Sequence, residues 1–270
     1  MNRLQLIKKS QNLKRLGITS KYDFEMFISE STTFISKEDE ILGVYLEQAS
    51  NLDELAFHLK SVEYALSTRS GGMPTISRVF GYQPRITMRR DFCNEASFNQ
   101  DYPKAYEIVK NQADKAAILY HQHNPMLFEK HSQMADKLKP EHRIPMTPFS
   151  SGIINKNNQL RYHYDSGNFK NVWSAMFVMR KDTEGGYLSL PNYGIGIELK
   201  NNSLMLFDGQ SVLHGVTPIN MLNKNSYRLS IVYYSLAGMW KCLTPQEELN
   251  RIRKVKTQRE TKRANESFHT

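Results

Sequence analysis

LRYHYDSGN (160–168) sets His163 and Asp165 two positions apart at the end of a strand predicted over 160–164. Residues spaced that way on a strand project from one face. A second histidine, His214, follows in LHGVTP (213–218), and Arg228-Leu229-Ser230 comes one strand-length and a turn later. Two imidazoles and one carboxylate are the facial donor set that holds non-haem Fe(II) and leaves coordination positions open. An isolated H-x-D is common by chance; the distal histidine and the arginine give this one its weight. Zinc accepts the same donors. Arg228 favours iron, because a cation inside a barrel needs an anionic partner and a dicarboxylate co-substrate supplies one. Ser230 lies on the same face and offers a second hydrogen bond. A structural salt bridge is the competing role for Arg228.

The surrounding texture supports the nearness of residues so far apart in sequence. From Pro148 onward, short apolar runs are divided by NKNN, DSGN, EGG, NYG, KNN, DG and NKNS, all turn chemistry. Eight strands are predicted, near 149–155, 160–164, 173–179, 186–190, 195–199, 203–207, 212–218 and 227–235. Many short, evenly spaced strands indicate a sandwich or barrel. With this donor set, the expected architecture is an α+β, mainly β core: a double-stranded β-helix, or cupin-type jelly roll. The expected organisation is a mainly helical region over 1–145 with an early strand at 41–48, a core over 146–240, and a basic helix or tail over 241–270.

Within the first region, 1–40 reads as short polar helices. Leu52, Leu55, Leu59, Val62 and Leu66 recur at helical spacing after caps at Asn51 and Asp53. SGGMP (70–74) breaks that helix, FGYQPR (80–85) reads as a loop, and 102–139 returns to helix with Tyr106, Val109, Ala113, Ala116 and Leu119 on one side.

The chain has 270 residues and a formal net charge of +9. That balance favours a polyanionic partner, nucleic acid foremost. The basic residues gather at the ends: Arg3, Lys8, Lys9, Lys14, Arg15 and Lys21 precede the first acid, and Arg251, Arg253, Lys254, Lys256, Arg259, Lys262 and Arg263 crowd the tail. A solvated charged helix is the plainer reading of that tail. No apolar run is long enough to span a membrane, and the start lacks the apolar stretch of a secretory signal. Cys93 and Cys242 are the two cysteines. They form no framework and no C-x-x-C pair, so free thiols and an intracellular, cytoplasmic setting are expected.

From Phe149 to Tyr234 the sequence resembles the TET/JBP family of DNA base dioxygenases: the methylcytosine oxidases and the thymine hydroxylases of base J synthesis. FSSGIINKNNQLRYHYDSGN (149–168), EGGYLSLPNYGIGIELKNNSLMLFDGQSVLHGVTP (184–218) and YRLSIVYY (227–234) carry the resemblance, with RVFGYQPR (78–85) and RRDFC (89–93) upstream. The resemblance implies a minimal, virus-like member. It makes His163, Asp165 and His214 iron ligands and places Arg228 and Ser230 on 2-oxoglutarate. Asn168 then matches an asparagine that hydrogen-bonds a flipped base, and Tyr234 matches an aromatic that stacks on it. An Asx-turn for Asn168 and a core position for Tyr234 are the alternatives. Methylcytosine oxidases carry a histidine two positions after that tyrosine, where this chain has Leu236, so the target base stays open between thymine and 5-methylcytosine.

The expected reaction couples decarboxylation of 2-oxoglutarate to hydroxylation, by O2, of the 5-methyl group of a pyrimidine in DNA. The basic ends, Arg85, Arg89 and Arg90 are candidate backbone contacts. The alternatives are the same chemistry on a free nucleotide, a small molecule or a protein side chain, or a non-catalytic metal-binding module that contacts DNA.

Overall fold

The computed structural model describes residues 1–9, 24–68, 74–86 and 91–267. All eight predicted strands are present, and they divide four and four. Ser203–Phe207, Ser174–Lys181, Tyr227–Tyr234 and Ser151–Lys156 are consecutive neighbours in one sheet. Ile195–Ile197, Leu188–Leu190, His214–Val216 and Leu160–His163 are consecutive in the other. This alternation of chain segments between two sheets is the double-stranded β-helix. A small hairpin-like pair, Thr183–Gly185 with Ile219–Met221, lies to one side.

Strand alternation explains the packing. On Tyr227–Tyr234, Leu229, Ile231 and Tyr233 face outward into a cluster with helix residues Val109, Ala113 and Ala116. Tyr233 locks that contact by donating its hydroxyl to the Val109 carbonyl at 2.9 Å. The opposite parity, Arg228, Ser230, Val232 and Tyr234, lines a cavity between the sheets. On Ser174–Lys181, Ala175, Phe177 and Met179 join the helical cluster, and Met176 and Val178 join an interior cluster with Leu188, Ile197 and Met205. Period-two alternation thus decides which side chains can reach the site.

The N-terminal region differs from expectation. Its described portion before residue 40 forms strands, not short helices: Asn2–Gln5 and Thr32–Ile35 extend the large sheet beside Ile41–Leu46, and Met26–Ile28 pairs in parallel with Ile195–Ile197 on the small one. Their propensity signal is weak because each is three or four residues long and held by partners distant in sequence. Lys14, Arg15 and Lys21 lie outside the described residues, as do Arg89 and Arg90.

The first helix is shorter than its periodicity suggested. It spans Asp53–Lys60, and Leu66 stands on the strand Ala65–Thr68, 74% exposed. FGYQ is no loop either: the strand Pro74–Gln83 runs through it and pairs with Ser151–Lys156. The predicted helix over 102–139 is two helices, Pro103–His123 and Pro125–Ala135. Asn124 divides them, its side chain capping the second by accepting from the Leu127 amide at 3.1 Å.

The cysteines also overturn an expectation. Cys93 and Cys242 are joined in a disulfide across 149 residues, leaving no free thiol. Such a separation carries no spacing signature, and the inference from free thiols to a reducing interior falls with it. Among the described residues, no helix is long and apolar enough to cross a membrane.

Candidate active site

His163 closes the strand Leu160–His163, and His214 opens His214–Val216, which lies directly beside it in antiparallel register. The two rings are 4.3 Å apart between centroids. Asp165 sits just past its strand, where its amide donates to the Gly209 carbonyl at 2.9 Å. Asp165 Oδ1 then stands 3.7 Å from His163 Nε2 and 3.9 Å from His214 Nε2. All three donor atoms fall within 4.8 Å of one another.

Backbone carbonyls fix both imidazole tautomers. His163 Nδ1 donates to the Arg161 carbonyl at 2.7 Å, and His214 Nδ1 donates to the Val212 carbonyl at 2.9 Å. Since a carbonyl only accepts, the proton resides on Nδ1 and the lone pair on Nε2. Both Nε2 atoms are therefore presented as ligands beside the carboxylate, with ring orientation held from behind. Phe207 packs edge-on against His214 at 5.0 Å and restricts it further.

Among the described residues Arg228 is the largest fully buried side chain, 2% exposed. Its Nε and Nη2 have no hydrogen-bond partner, and no ion pair includes it among the described residues. The salt-bridge alternative is therefore not what this arginine does. Burial, with the charge of Arg180 acting in the same direction, pushes its pKa down to about 9. A buried, unpaired guanidinium costs several kcal/mol, a cost that an anionic ligand removes. Ser230 Oγ accepts from Asn155 Nδ2 at 3.5 Å, leaving the hydroxyl proton available toward the cavity.

One cavity of about 250 Å3 joins these groups: the three metal donors, Arg228, Ser230, Asn168 and Tyr234 all line it. Each sequence-predicted site residue therefore reaches the same chamber. Asn168 is buried, donates to Ser174 Oγ at 3.5 Å, and forms an isolated bridge with Leu236.

Sequence reasoning missed several contributors. Asn155 and Asn158 stand next to Ser230, with Asn158 Nδ2 donating to Asn155 Oδ1 at 3.2 Å and its Oδ1 accepting from the Ile76 amide at 2.8 Å. Applying strand parity to the neighbouring strand 151–156 would have found Asn155. Gly209 is required because a Cβ there would run into Asp165 Oδ2. Gly186, at φ +65°, lets its backbone lie against the Arg228 stem, where a Cβ would be 2.8 Å from Cδ.

Fold and site together define a jelly-roll oxygenase core that presents one divalent-metal site and one buried cation for an anionic co-substrate. The family model Tet_JBP, described as the oxygenase domain of the 2OGFeDO superfamily, matches residues 78–237, and the chain belongs to that family. Thymine dioxygenase JBP1 of Trypanosoma brucei brucei is 25% identical over 241 residues, covering 86% of this chain and 28% of that protein. Thymine dioxygenase JBP1 of Leishmania tarentolae is 27% identical over 240 residues, covering 84% and 28%. The bifunctional helicase and thymine dioxygenase JBP2 of Leishmania braziliensis is 24% identical over 245 residues, covering 85% and 22%. The chain thus spans about a quarter of the length of these relatives. A solved structure of NgTET1 in complex with 5mC DNA shares the fold, with TM-score 0.60 at 14% identity over 88% of this chain and 90% of that one. Fe(II) and 2-oxoglutarate are the metal and co-substrate of this superfamily, and the donor set and the orphaned guanidinium fit both.

Proposed function

We propose that this protein is an Fe(II)- and 2-oxoglutarate-dependent dioxygenase that hydroxylates the 5-methyl group of a pyrimidine base in DNA. The observation that carries the proposal is the shared cavity: unpaired Arg228 nitrogens and three convergent metal donors line one chamber with Asn168 and Tyr234. Bound Fe(II) supplies O2 activation, so that decarboxylation of 2-oxoglutarate to succinate drives hydroxylation of a C–H bond.

The chain's own residues do the positioning. Arg228 grips the far carboxylate of 2-oxoglutarate, with Ser230 as a second donor. Met176, Leu188, Phe207 and Val216 wall the cavity with apolar surface that excludes water. A base within a duplex cannot reach such a chamber, so the target nucleotide is extruded or single-stranded. Tyr234 then offers a stacking face and Asn168 a polar contact to the base edge.

Thymine is favoured over 5-methylcytosine. Its support is Leu236, an apolar side chain where methylcytosine oxidases carry histidine, together with the thymine dioxygenases among the relatives.

Incubation with Fe(II), 2-oxoglutarate, O2 and duplex DNA containing both bases, followed by digestion and nucleoside mass spectrometry, tests this reading. The expected product is 5-hydroxymethyluracil. 5-Hydroxymethylcytosine alone would reverse the base preference. No new nucleoside, with succinate formed from a free nucleotide, a small molecule or a peptide instead, would move the same chemistry off DNA.

A further inference from the structure

The C-terminal helix Pro245–Ser267 carries a charge load that the fold itself does not use. Its first turns are firmly attached. Thr244 and Glu247 form a reciprocal cap, Glu247 Oε2 accepting from the Thr244 amide at 2.9 Å. Glu248, 2% exposed, accepts from the Leu243 amide at 3.0 Å and faces Arg85 at 3.6 Å and Arg251 at 3.4 Å. The Cys93–Cys242 disulfide and a bond between His142 Nε2 and the Leu243 carbonyl hold the residues just before it.

Beyond Arg251 the character changes. Residues 251–263 contain seven basic side chains and one acid, Glu260, a net +6 within a chain of net +9. Arg253, Lys254, Lys256 and every residue from Thr257 to Asn265 are exposed. Arg259 pairs with Asp91 at 2.6 Å. No continuous apolar stripe runs along this part, so neither a packed helix partner nor insertion into a lipid interface is served.

The arrangement works against the helix. Lys256 and Arg259 are three apart and Arg259 and Arg263 four apart, spacings at which like charges destabilise. Lys256 with Glu260 places the cation on the N-terminal side, the poorer order for such a pair. A segment that a sequence optimised for helix stability would avoid thus stands exposed on a rigid, multiply anchored base. Tyr234, the last residue of its strand, and Leu236 just past it, both in the cavity wall, come only a few residues before that base.

We infer that this helix is a phosphate-contacting rail for nucleic acid, with Arg253, Lys256 and Arg263, which share one side of the helix, touching the DNA backbone outside the cavity. From Arg253 to Arg263 the helix rises about 15 Å, the span of several successive phosphates along one strand. The commitment is to a nucleic acid backbone, since its charge density is fixed and continuous where an acidic protein surface is not. The inference rests on the proposed DNA substrate and adds where the protein grips it.

The test is duplex binding by fluorescence anisotropy across a salt series, using a 30-base-pair probe containing thymine. Wild-type protein is compared with R253Q/K256Q/R263Q and with the charge-preserving R253K/R263K. The glutamine variant is expected to lose at least about tenfold in affinity at 0.1 M salt, and its log–log salt slope to flatten by about 0.9 for each phosphate contact removed. R253K/R263K should bind as wild type does, and the 2-oxoglutarate affinity of all three should agree. Unchanged affinity and slope in the glutamine variant, with its helical circular dichroism intact, overturns the inference. So does tighter association of the wild type with anionic phospholipid vesicles than with the duplex. If the rail behaves as stated but the loaded enzyme yields no oxidised nucleoside, the activity reading fails and the rail stands. Oxidised nucleoside formed equally by wild type and the glutamine variant at low duplex concentration leaves the activity and removes the rail.

Discussion

Asn168 and Leu236 face one another in an isolated antiparallel bridge, and that bridge joins the metal-binding loop to the end of the strand that carries Arg228 and Ser230. Backbone bonds on either side extend it: the Phe169 amide donates to the Ser235 carbonyl at 2.7 Å, and the Ala237 amide to the Gly167 carbonyl at 2.8 Å. The loop holding Asp165 and the wall holding Tyr234 therefore move as one piece.

Ser235 fastens this piece to the helical layer. Its hydroxyl donates to the Pro148 carbonyl at 2.5 Å and accepts from His131 Nε2 at 2.9 Å. Ser235→Ala orphans two buried groups, a loss of about 1–3 kcal/mol. A melting temperature lower by several degrees is expected, with the affinity for DNA falling more than that for 2-oxoglutarate. Equal losses in both, or none, would contradict the coupling.

His131 gives the stability a defined acid limb. Burial pushes its pKa down to about 3, so the folded protein holds it neutral. The folded value lies below the ordinary 6.5, so the stabilisation is complete above pH 6.5 and declines as pH falls from there toward 3. Urea midpoints measured from pH 7 to pH 4 should fall, and His131→Gln should flatten that decline. An unchanged slope in the variant would assign the acid sensitivity elsewhere.

Much of this site was legible in the sequence because its residues obey strand parity. Arg228, Ser230 and Tyr234 are even-numbered steps apart on one strand, and His163 and Asp165 are two apart, with Asp165 just past its strand end, and turn residues bound both strands. What was not legible depends on contacts between distant segments. Asn2–Gln5 and Met26–Ile28 are too short and polar to read as strands alone, and become so only beside Thr32–Ile35 and Ile195–Ile197. Gly209 looks like an ordinary turn glycine until Asp165 is seen pressed against it. Cys93 and Cys242 carry no spacing rule at all.

Arg228 predicts a pH dependence for co-substrate binding. Burial lowers the Arg228 pKa to about 9 in the ligand-free protein, and a dicarboxylate requires the charged form. Below that pH the affinity for 2-oxoglutarate should be flat. Above it, binding must first recover the proton, so the dissociation constant should climb about tenfold per pH unit. Titrations between pH 7 and 10.5 check this, and a flat profile throughout would contradict it. Arg228→Ala should weaken 2-oxoglutarate by about a hundredfold or more at pH 7.5.

The metal ligands are tested apart from turnover. His163→Ala, Asp165→Ala and His214→Ala each remove one donor from the cavity lining without removing a core packing residue, so circular dichroism should be unchanged. Mn(II) affinity by calorimetry should drop at least about tenfold in each. Retained affinity in any one of them removes that residue from the set.

The most direct test of the shared metal and co-substrate chamber is anaerobic titration of the Fe(II)-loaded protein with 2-oxoglutarate, followed by visible absorption. A charge-transfer band arises only when the keto acid chelates the protein-bound iron. It should appear with wild-type protein, and be absent from Asp165→Ala and Arg228→Ala at the same concentrations. No band with wild-type protein, or an undiminished band in both variants, would contradict the account.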